Sequence, residues 1–329
     1  MRNASDGYDA SALPPTVAGT VATVGTFDGI HLGHKDILDH VSARARALGL
    51  ASMVVTFDPH PLRIVNPAAA PPLLTTAPER LEILAATDVE YLAILPFTQT
   101  LQRYSAAHFV DEVLLRRYRV RELVIGYDHG LGRGREGDAE LLRALGERRG
   151  FAVQVVEAVL DQAGHPISST HVRTTVAAGD LTSAACMLGR PYSVCGTVVR
   201  GDRRGRLLGF PTINIGGLSP HKLLPPEGVY AVRVQTPAGA FGGMMNLGPR
   251  PTFGDAATSL EAHLFDMAVT LYEAAVKVEF VARLRATQRF AGPQALVAQL
   301  ERDAQDARRA LTLVEHAGNL RSSPRNLTS

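Results

Sequence analysis

The sequence predicts an α/β protein with two domains: an N-terminal doubly wound parallel sheet, then a small antiparallel β-barrel with a C-terminal helix. The length of 329 residues is enough for about two domains, each with its own core. In the N-terminal half, short apolar runs alternate with segments of helical periodicity, which is typical of a parallel sheet with helices on both faces. Beyond Arg190-Pro191 the runs become short and β-rich with Gly and Pro between them, which is typical of a small barrel.

Five apolar runs provide the strands of the predicted sheet. We place them at 19–24, 51–57, 91–95, 123–127 and 152–156, with helices at 35–48, 78–87, 106–118 and 181–189. Ligands bind such a sheet at the carboxyl ends of its strands. The loops that follow the first, second and fourth strands are therefore the expected site.

The barrel half has its own strands and one closing helix. The strands are expected at 193–200, 228–235, 240–247, 258–266 and 274–281, and the helix at 293–313. These assignments give a sheet domain over 17–187 and a barrel domain over 188–315. The small, polar ends at 1–16 and 316–329 are expected to be disordered or flexible.

The composition excludes several classes of protein. The chain is 46% apolar and 20% charged, with a formal charge of +2 and only two cysteines. These values are typical of a globular protein and give no reason to expect a nucleic-acid or membrane surface. No apolar run approaches the about 20 residues of a transmembrane helix. We expect a cytoplasmic protein without disulfides, nucleic-acid partners or membrane partners.

Two histidines lie where the first strand gives way to a helix. His31 and His34 are three residues apart, so they share one helix face. Free N–H groups and the positive end of the helix dipole make a helix start an anion site. Such a pair can stabilise the charge that develops on a phosphate during nucleotidyl transfer. Core packing and a zinc site are the alternatives, although no third ligand candidate lies nearby in the sequence.

A second glycine-rich loop matches a different fingerprint. Gly132-Arg-Gly-Arg-Glu-Gly137 fits G-x-G-x-x-G, precedes a helix and is followed by Glu157 at the end of the next strand, so a dinucleotide-binding dehydrogenase is a rival. The first glycine lies several residues beyond the strand, whereas the fingerprint needs a tight turn directly after it. The loop also follows the fourth strand, and the fingerprint usually follows the first.

Hydroxyl side chains open a later helix in the stretch Ile167-Ser-Ser-Thr-His-Val-Arg173. Serine and threonine are natural helix caps, which is the structural alternative for these residues. The functional interpretation adds Arg173, which can bind a polyphosphate bidentately from the first turn of the helix.

The barrel half carries a loop with glycines, arginines and a Thr-x-Asn pair, over 201–214. Glycines let backbone amides approach a phosphate. In an extended segment Thr212 and Asn214 point to the same side, so both oxygens can reach one Mg²⁺ ion. The alternative is an ordinary Gly-Pro surface loop.

Strand alternation over 259–264 puts Glu261 and His263 on one face of a strand. A carboxylate on the functional face of a barrel is a candidate general base for a primary hydroxyl. An exposed strand glutamate without a catalytic role is the alternative.

These motifs together resemble a known family. The H-x-G-H stretch resembles the Rossmann-like nucleotidylyltransferase superfamily, and its Gly25-Thr-Phe-Asp-Gly29 lead-in resembles the bacterial bifunctional riboflavin kinase/FAD synthetases. The segments 126–138, 167–173, 201–214, 246–253 and 259–264 resemble further motifs of that family in the expected order. The chain departs from the usual residues at His129, Leu131, His171 and Ile213.

The resemblance implies that riboflavin is phosphorylated to FMN in the barrel and that FMN is adenylylated to FAD in the sheet domain. It implies ATP, riboflavin and FMN as small-molecule partners, with Mg²⁺. The implied catalytic residues are His31, His34 and Glu261, and the implied metal ligands are Thr212 and Asn214. The implied nucleotide-binding residues are Gly25, Phe27, Asp28, Gly29, Asp128, Ser168, Ser169, Thr170, Arg173, Gly201, Gly205 and Gly209, and the flavin-binding residues are Asn246, Arg250, Pro251 and Thr252.

Two further alternatives stay open from the sequence. A single-activity nucleotidylyltransferase would keep the H-x-G-H half and carry a non-catalytic flavin-binding barrel. A flavin-binding sensor would retain the barrel and catalyse nothing.

Overall fold

A computed structural model describes residues 2–3, 13–201, 205, 208–249, 258–267 and 271–322. The chain divides into two compact units, Met1–His171 and Val172–Ser329. This division falls within a helix, whereas the sequence analysis expects a boundary near residue 187, which stays a prediction. Within the described ranges, no helix is both long and apolar enough to cross a membrane.

The first unit is built on a parallel sheet with strand order β1-β4-β3-β2-β5-β6. Every neighbouring pair in it is parallel, which confirms the predicted architecture. The strands are β1 Arg2–Asn3, β2 Thr20–Val24, β3 Ala51–Asp58, β4 Tyr91–Pro96, β5 Val120–Gly126 and β6 Ala152–Val156.

Helices cover both faces of this sheet. Neighbouring residues Val54 and Val55 of β3 belong to different apolar clusters, since successive side chains of a strand point to opposite faces. The helices of this unit are α1 Leu32–Leu48, α2 Pro61–Val65, α3 Ala77–Ala85, α4 Gln99–Gln102, α5 Ala106–Phe109 and α6 Ala139–Arg149. Helix α7 Ser169–Ala178 runs across the division between the units, and α8 Leu181–Leu188 belongs to the second unit. Leu38 of α1 and Leu84 of α3 pack on one face, and Leu142 of α6 packs on the other.

Two parts of this unit differ from the expectation. Leu13 lies in the segment 1–16, for which the sequence predicts disorder, yet it is 2% exposed. The Arg119 guanidinium donates to the carbonyl oxygens of Leu13, Pro14 and Val17. The helix expected at 106–118 is α-helical only over α5 and continues as a π-helix over Val110–Arg117.

The second unit contains a closed antiparallel barrel with strand order β10-β11-β8-β7-β12-β9, which confirms the predicted barrel. Its strands are β7 Tyr192–Val199, β8 Ile213–Gly216, β9 Gly228–Thr236, β10 Gly239–Pro249, β11 Thr258–Leu264 and β12 Ala275–Arg285, and the helix α9 spans Pro293–Ser322. From the sequence, the region of β8 is expected only as an extended segment.

One face of α9 closes the barrel. Ala307 and Leu311 pack against Met244 and Phe265. The nearly buried Asp303 carboxylate accepts two charge-assisted bonds from Arg285, at 2.9 Å from Nε and 2.7 Å from a terminal nitrogen. Helix α9 is described to Ser322, beyond its predicted end at residue 313.

Candidate active sites

The start of α1 forms the centre of the first site. His31 caps the helix: its backbone is extended (φ −75°, ψ 174°), and its Nδ1 accepts a bond from the His34 amide at 3.3 Å. The preceding turn is tight, because Phe27 and Ile30 adopt φ values of 49° and 39°. Both side chains are buried, and this burial fixes a backbone conformation that non-glycine residues rarely adopt.

The two histidine rings lie face to face. Their centroids are 3.8 Å apart with an interplanar angle of 18°, and the Phe27 ring lies 5.0 Å from that of His34. Burial, and then the neighbouring His31, hold the pKa of His34 well below its ordinary value of 6.5. His34 is therefore neutral at pH 7, and its buried Nδ1 has no hydrogen-bond partner among the described residues. An anion bound at the helix start would favour the charged ring.

A second predicted motif lies directly against this turn. The Ser169 hydroxyl at the start of α7 donates to the carbonyl oxygen of Asp28 at 2.7 Å. A Cβ atom on Gly33 would lie 3.3 Å from both the His31 ring and the Ile167 carbonyl oxygen. The structure thus brings the H-x-G-H and I-S-S-T segments together. Ser168 is the helix cap, since its Oγ accepts from the His171 amide at 3.2 Å.

Asp28 holds this turn in place from inside the protein. It is fully buried, and its carboxylate accepts bonds from the Leu74 amide at 3.0 Å and the Thr75 amide at 2.8 Å. Thr75 Oγ1 in turn accepts from the Gly29 amide at 3.0 Å. Gly29 has φ 83°, and a Cβ there would lie 2.7 Å from the Leu74 side chain.

Gly25 continues the backbone pairing of this region, because its amide donates to the Val55 carbonyl at 3.0 Å. The side chains of Phe27 and Asp28 are buried and hold the loop from inside the protein. From the sequence, both residues are expected to contact the nucleotide. Their nucleotide contacts stay predictions.

Arg80 is a residue of this site that the sequence analysis missed. Its guanidinium is 3% exposed and donates to the carbonyls of Thr26 at 3.0 Å and Phe57 at 2.9 Å, which joins the ends of β2 and β3. Burial lowers the pKa of Arg80, while Asp58 and Asp28 act against that shift. A capping box at Thr76 and Glu79 marks the start of α3, but no sequence signal indicates where the Arg80 side chain reaches.

The loop after β5 lies beside α1. A Cβ on Gly126 would lie 3.2 Å from Ile37 of α1 and 3.8 Å from the Asp128 carboxylate. These two distances place the Asp128 carboxylate near α1 at Ile37. Ile37 is three residues after His34 and lies on the same face of the helix. Burial, and then Arg135, lower the pKa of His129 to about 4, although Asp128 acts in the opposite direction.

The same loop lacks the geometry of a dinucleotide fingerprint. Strand β5 ends at Gly126, a 3₁₀ turn spans Arg133–Arg135, and α6 starts only at Ala139. Leu131 and Gly137 exchange backbone hydrogen bonds that close the loop on itself. The tight strand-to-helix turn required by the dehydrogenase alternative is absent here.

Thr170 and Arg173 lie in the first turns of α7. Their phosphate contacts stay predictions. His171 faces Asp161 with 3.9 Å between Nε2 and Oδ2.

In the barrel, three predicted site residues lie in one row. Glu261 of β11 is directly opposite Asn246 of β10 and Asn214 of β8. Side chains of directly opposed residues project to the same face of a sheet. The Ser259 hydroxyl donates to Glu261 Oε1 at 3.2 Å, so the carboxylate is held from its own strand.

Gly201 packs tightly against Asn214 of β8. The amide of Asn214 is 9% exposed, and a Cβ on Gly201 would lie only 2.1 Å from its Nδ2 atom. The Gly205 carbonyl accepts from the amides of Leu208 and Phe210, and Gly209 has φ 83°. Arg250, Pro251 and Thr252 lie outside the described residues.

The fold and these two sites define a protein class: a nucleotidyl-transfer-type α/β unit joined to a small barrel with a glycine-rich loop. Comparison with known proteins gives the family. Residues 13–171 match the FAD synthetase family and residues 188–311 match the riboflavin kinase family. The chain belongs to the bifunctional riboflavin kinase/FMN adenylyltransferases.

Curated relatives carry that name along nearly their whole length. The protein of Pseudomonas fluorescens is 39% identical over 298 residues, which cover 90% of this chain and 94% of the relative. The Escherichia coli K12 protein is 37% identical over 303 residues, which cover 91% of this chain and 95% of the relative.

A solved Streptococcus pneumoniae structure is similar with a TM-score of 0.80 and 29% identity, and covers 90% of this chain and 95% of that chain. That structure is described as a macrolide-efflux protein.

Proposed function

We propose that this chain makes FAD from riboflavin in two ATP-dependent steps, with the first step in the barrel and the second at the α1 turn. The observation that carries the proposal is that each unit gathers its own motif residues: His31, His34 and Ser169 in one, Asn214, Asn246 and Glu261 in the other. The family membership supports both activities.

In the proposed kinase step, the ribityl hydroxyl of riboflavin attacks the γ-phosphorus of ATP. A bond forms between that oxygen and the γ-phosphorus, the bond to the β-phosphate oxygen breaks, and ADP leaves. Glu261 accepts the hydroxyl proton. The Ser259 bond orients the carboxylate, and the glycine-rich loop positions the phosphates.

The donors around Asn214 fit Mg²⁺. The Thr212 hydroxyl and the Asn214 amide offer hard oxygen atoms, and the absence of a side chain on Gly201 leaves room for the amide. Mg²⁺ in such sites uses one or two protein oxygens together with substrate phosphates. When bound, the ion would neutralise phosphate charge.

In the proposed adenylylation step, the FMN phosphate attacks the α-phosphorus of a second ATP. A phosphate–phosphate bond forms, the bond to the β-phosphate breaks, and pyrophosphate leaves. His31 and His34 offer donors at the helix start where negative charge builds up on the transferring phosphate. Ser168, Ser169, Thr170 and Arg173 would hold the phosphates, and Asp128 would face the nucleotide.

The direct test is to incubate the chain with riboflavin, ATP and Mg²⁺ and to separate the flavins. The proposal predicts FMN first and then FAD. FAD only from supplied FMN would indicate a single-activity transferase. Flavin binding without any product would indicate a sensor. We further propose a cytoplasmic location, which the low cysteine content of the sequence favours.

Replacing His34 by alanine should separate the two steps. We expect FMN formation to stay near the parent rate and FAD formation to fall by about 10²-fold or more, which is typical for loss of a transition-state donor. The measurement is the rate of FAD formation from supplied FMN. Near-parent adenylylation by His34→Ala would contradict the assignment.

Replacing Glu261 by glutamine should do the opposite. The glutamine amide oxygen would still accept the Ser259 bond, so the fold is retained while the base is lost. Loss of a general base typically costs about 10²–10⁴-fold. The Glu261→Gln variant should stop making FMN yet convert added FMN to FAD, and an unchanged kinase rate in a folded variant would exclude Glu261 as the base.

A further inference from the structure

His263 lies beside the proposed kinase site, and the kinase mechanism gives it no role. It shares a face of β11 with Glu261, two residues away. Its Nδ1 atom lies 2.8 Å from the carbonyl oxygen of Pro211. A carbonyl only accepts, so Nδ1 must carry the proton and donate. This bond holds the peptide that joins Pro211 to Thr212.

The bond lies where backbone pairing stops. Strand β11 pairs with β8 as far as Ala262 opposite Ile213, and residue 212 is the next in register. On its other side, β11 remains paired with β10 through Leu264. His263 therefore lies on a part of β11 that is paired with β10 only. Its side chain bonds to the segment before β8, which is not paired with β11.

Aromatic contacts fix the ring in this position. The rings of Phe210 and Phe265 meet it edge to face, with centroids 5.3 Å and 5.8 Å away. Phe265 is covered by the Arg308 guanidinium at 4.2 Å, and Arg308 pairs with Asp266 at 3.1 Å. Phe210 packs into the apolar cluster beneath α9. Both aromatic rings that contact His263 are therefore held by neighbouring side chains.

We propose that His263 is a positioning residue of the kinase step: its Nδ1–H holds the Pro211–Thr212 peptide so that Thr212 stays in place beside Asn214 for Mg²⁺·ATP. The proposal rests on the kinase function proposed above. It assigns to His263 a role through Thr212 and no contact with the reacting atoms.

Two substitutions separate the hydrogen bond from the packing. In His263→Asn the side-chain nitrogen occupies the position of Nδ1 and can donate, whereas His263→Phe keeps an aromatic ring and loses the donor. We expect the asparagine variant to keep kcat/KM near that of the parent. The phenylalanine variant should lose about 10- to 100-fold, the scale of a small misplacement of a binding group.

The separate KM values for Mg²⁺·ATP and riboflavin distinguish a positioning role from a general loss of structure. In His263→Phe the KM for Mg²⁺·ATP should rise more than the KM for riboflavin, and conversion of added FMN to FAD should be unchanged. His221→Asn is the matched control, because His221 is an exposed histidine of the same unit, and its kinase constants should equal those of the parent. Retained kinase activity in His263→Phe with loss in His263→Asn would overturn the proposal in favour of packing.

A measurement on the parent protein does not depend on the folding of a variant. Nitrogen NMR of labelled histidines reports which ring nitrogen carries the proton, and the proposal requires Nδ1–H at His263. A ring protonated only on Nε2 would overturn it. A parent chain that forms no FMN at all would instead contradict the kinase function, while the tautomer result would still report on the bond.

Discussion

Two partly buried histidines of the α/β unit, His34 and His129, couple its stability to pH. Burial is the main cause of the lowered pKa at both His34 and His129, and it brings the pKa of His129 to about 4. In the unfolded chain each ring takes up a proton near its ordinary pKa of 6.5. Between these values the unfolded state binds more protons than the folded state, so stability rises with pH. The contribution is complete above pH 6.5 and is lost as the pH falls toward 4.

Replacing His129 by phenylalanine should flatten this acid-side loss. One proton taken up on unfolding corresponds to about 1.4 kcal/mol per pH unit. The slope of unfolding free energy against pH should therefore fall by up to that amount in the window from 6.5 to about 4. Denaturant titrations of parent and variant across the window measure it. Equal slopes would show that His129 is protonated in the folded protein as well.

Residue identities at the site were predictable where chemistry and spacing combine. The pairing of His31 with His34 follows from three-residue spacing at a helix start, and the structure stacks them. The Asp28 carboxylate accepts bonds from the Leu74 and Thr75 amides. These bonds could not be predicted, because the sequence of a glycine-rich turn does not show whether its carboxylate faces a ligand or the protein backbone. Arg80 escaped prediction, and so did the bond of His263 to Pro211, because the partners are backbone carbonyls far away in the sequence.

Helix α3 contributes to the site through one side chain that reaches the ends of two strands. Arg80 satisfies the carbonyls of Thr26 and Phe57, and its guanidinium lies 3.9 Å from the Asp58 carboxylate. A buried charge with these partners is stabilising only while every partner is present. The turn that precedes His31 is thus held by Arg80 of α3 and by the bonds of the Asp28 carboxylate.

Replacing Arg80 by methionine tests this support. The variant keeps apolar volume and loses the donors, so we expect a loss of about 1–3 kcal/mol from the unpaired carbonyl groups. FAD formation from FMN should fall as the turn loosens, and FMN formation should persist. Arg46→Met is the matched control, because Arg46 is 67% exposed and meets Asp88 only at 3.6 Å, and it should shift stability by no more than about 0.5 kcal/mol. Equal effects of the two substitutions would contradict a special role for Arg80.

Elements with strong periodicity were predictable, and those set by tertiary context were not. The sheet strands follow from apolar runs, since a parallel sheet buries both faces. The four-residue strand β8 lies between β7 and β11, and its pairing is invisible in a loop rich in Gly and Pro. The π-helical turn at Val110–Arg117 has no sequence signature, because its apolar spacing also fits an α-helix.

At the scale of the whole chain, two chemistries share one intermediate. FMN is the product of the proposed barrel step and the substrate of the proposed α/β step, and each unit carries its own motif residues. If each unit works by itself, loss of one activity leaves the other intact, and a free intermediate can pass between molecules.

Mixing the two variants, each of which keeps one of the two activities, therefore makes a sharp test. His34→Ala should release FMN, and Glu261→Gln should adenylylate it, so the mixture should form FAD from riboflavin although neither variant does so alone. Because the intermediate must first accumulate in solution, FAD should appear after a lag that shortens when more His34→Ala protein is added. Flavin separation at successive times gives the lag and the final rate. A mixture that accumulates FMN without FAD, while Glu261→Gln still converts added FMN, would show that the FMN is retained by the molecule that makes it, and independent action of the two units would be excluded.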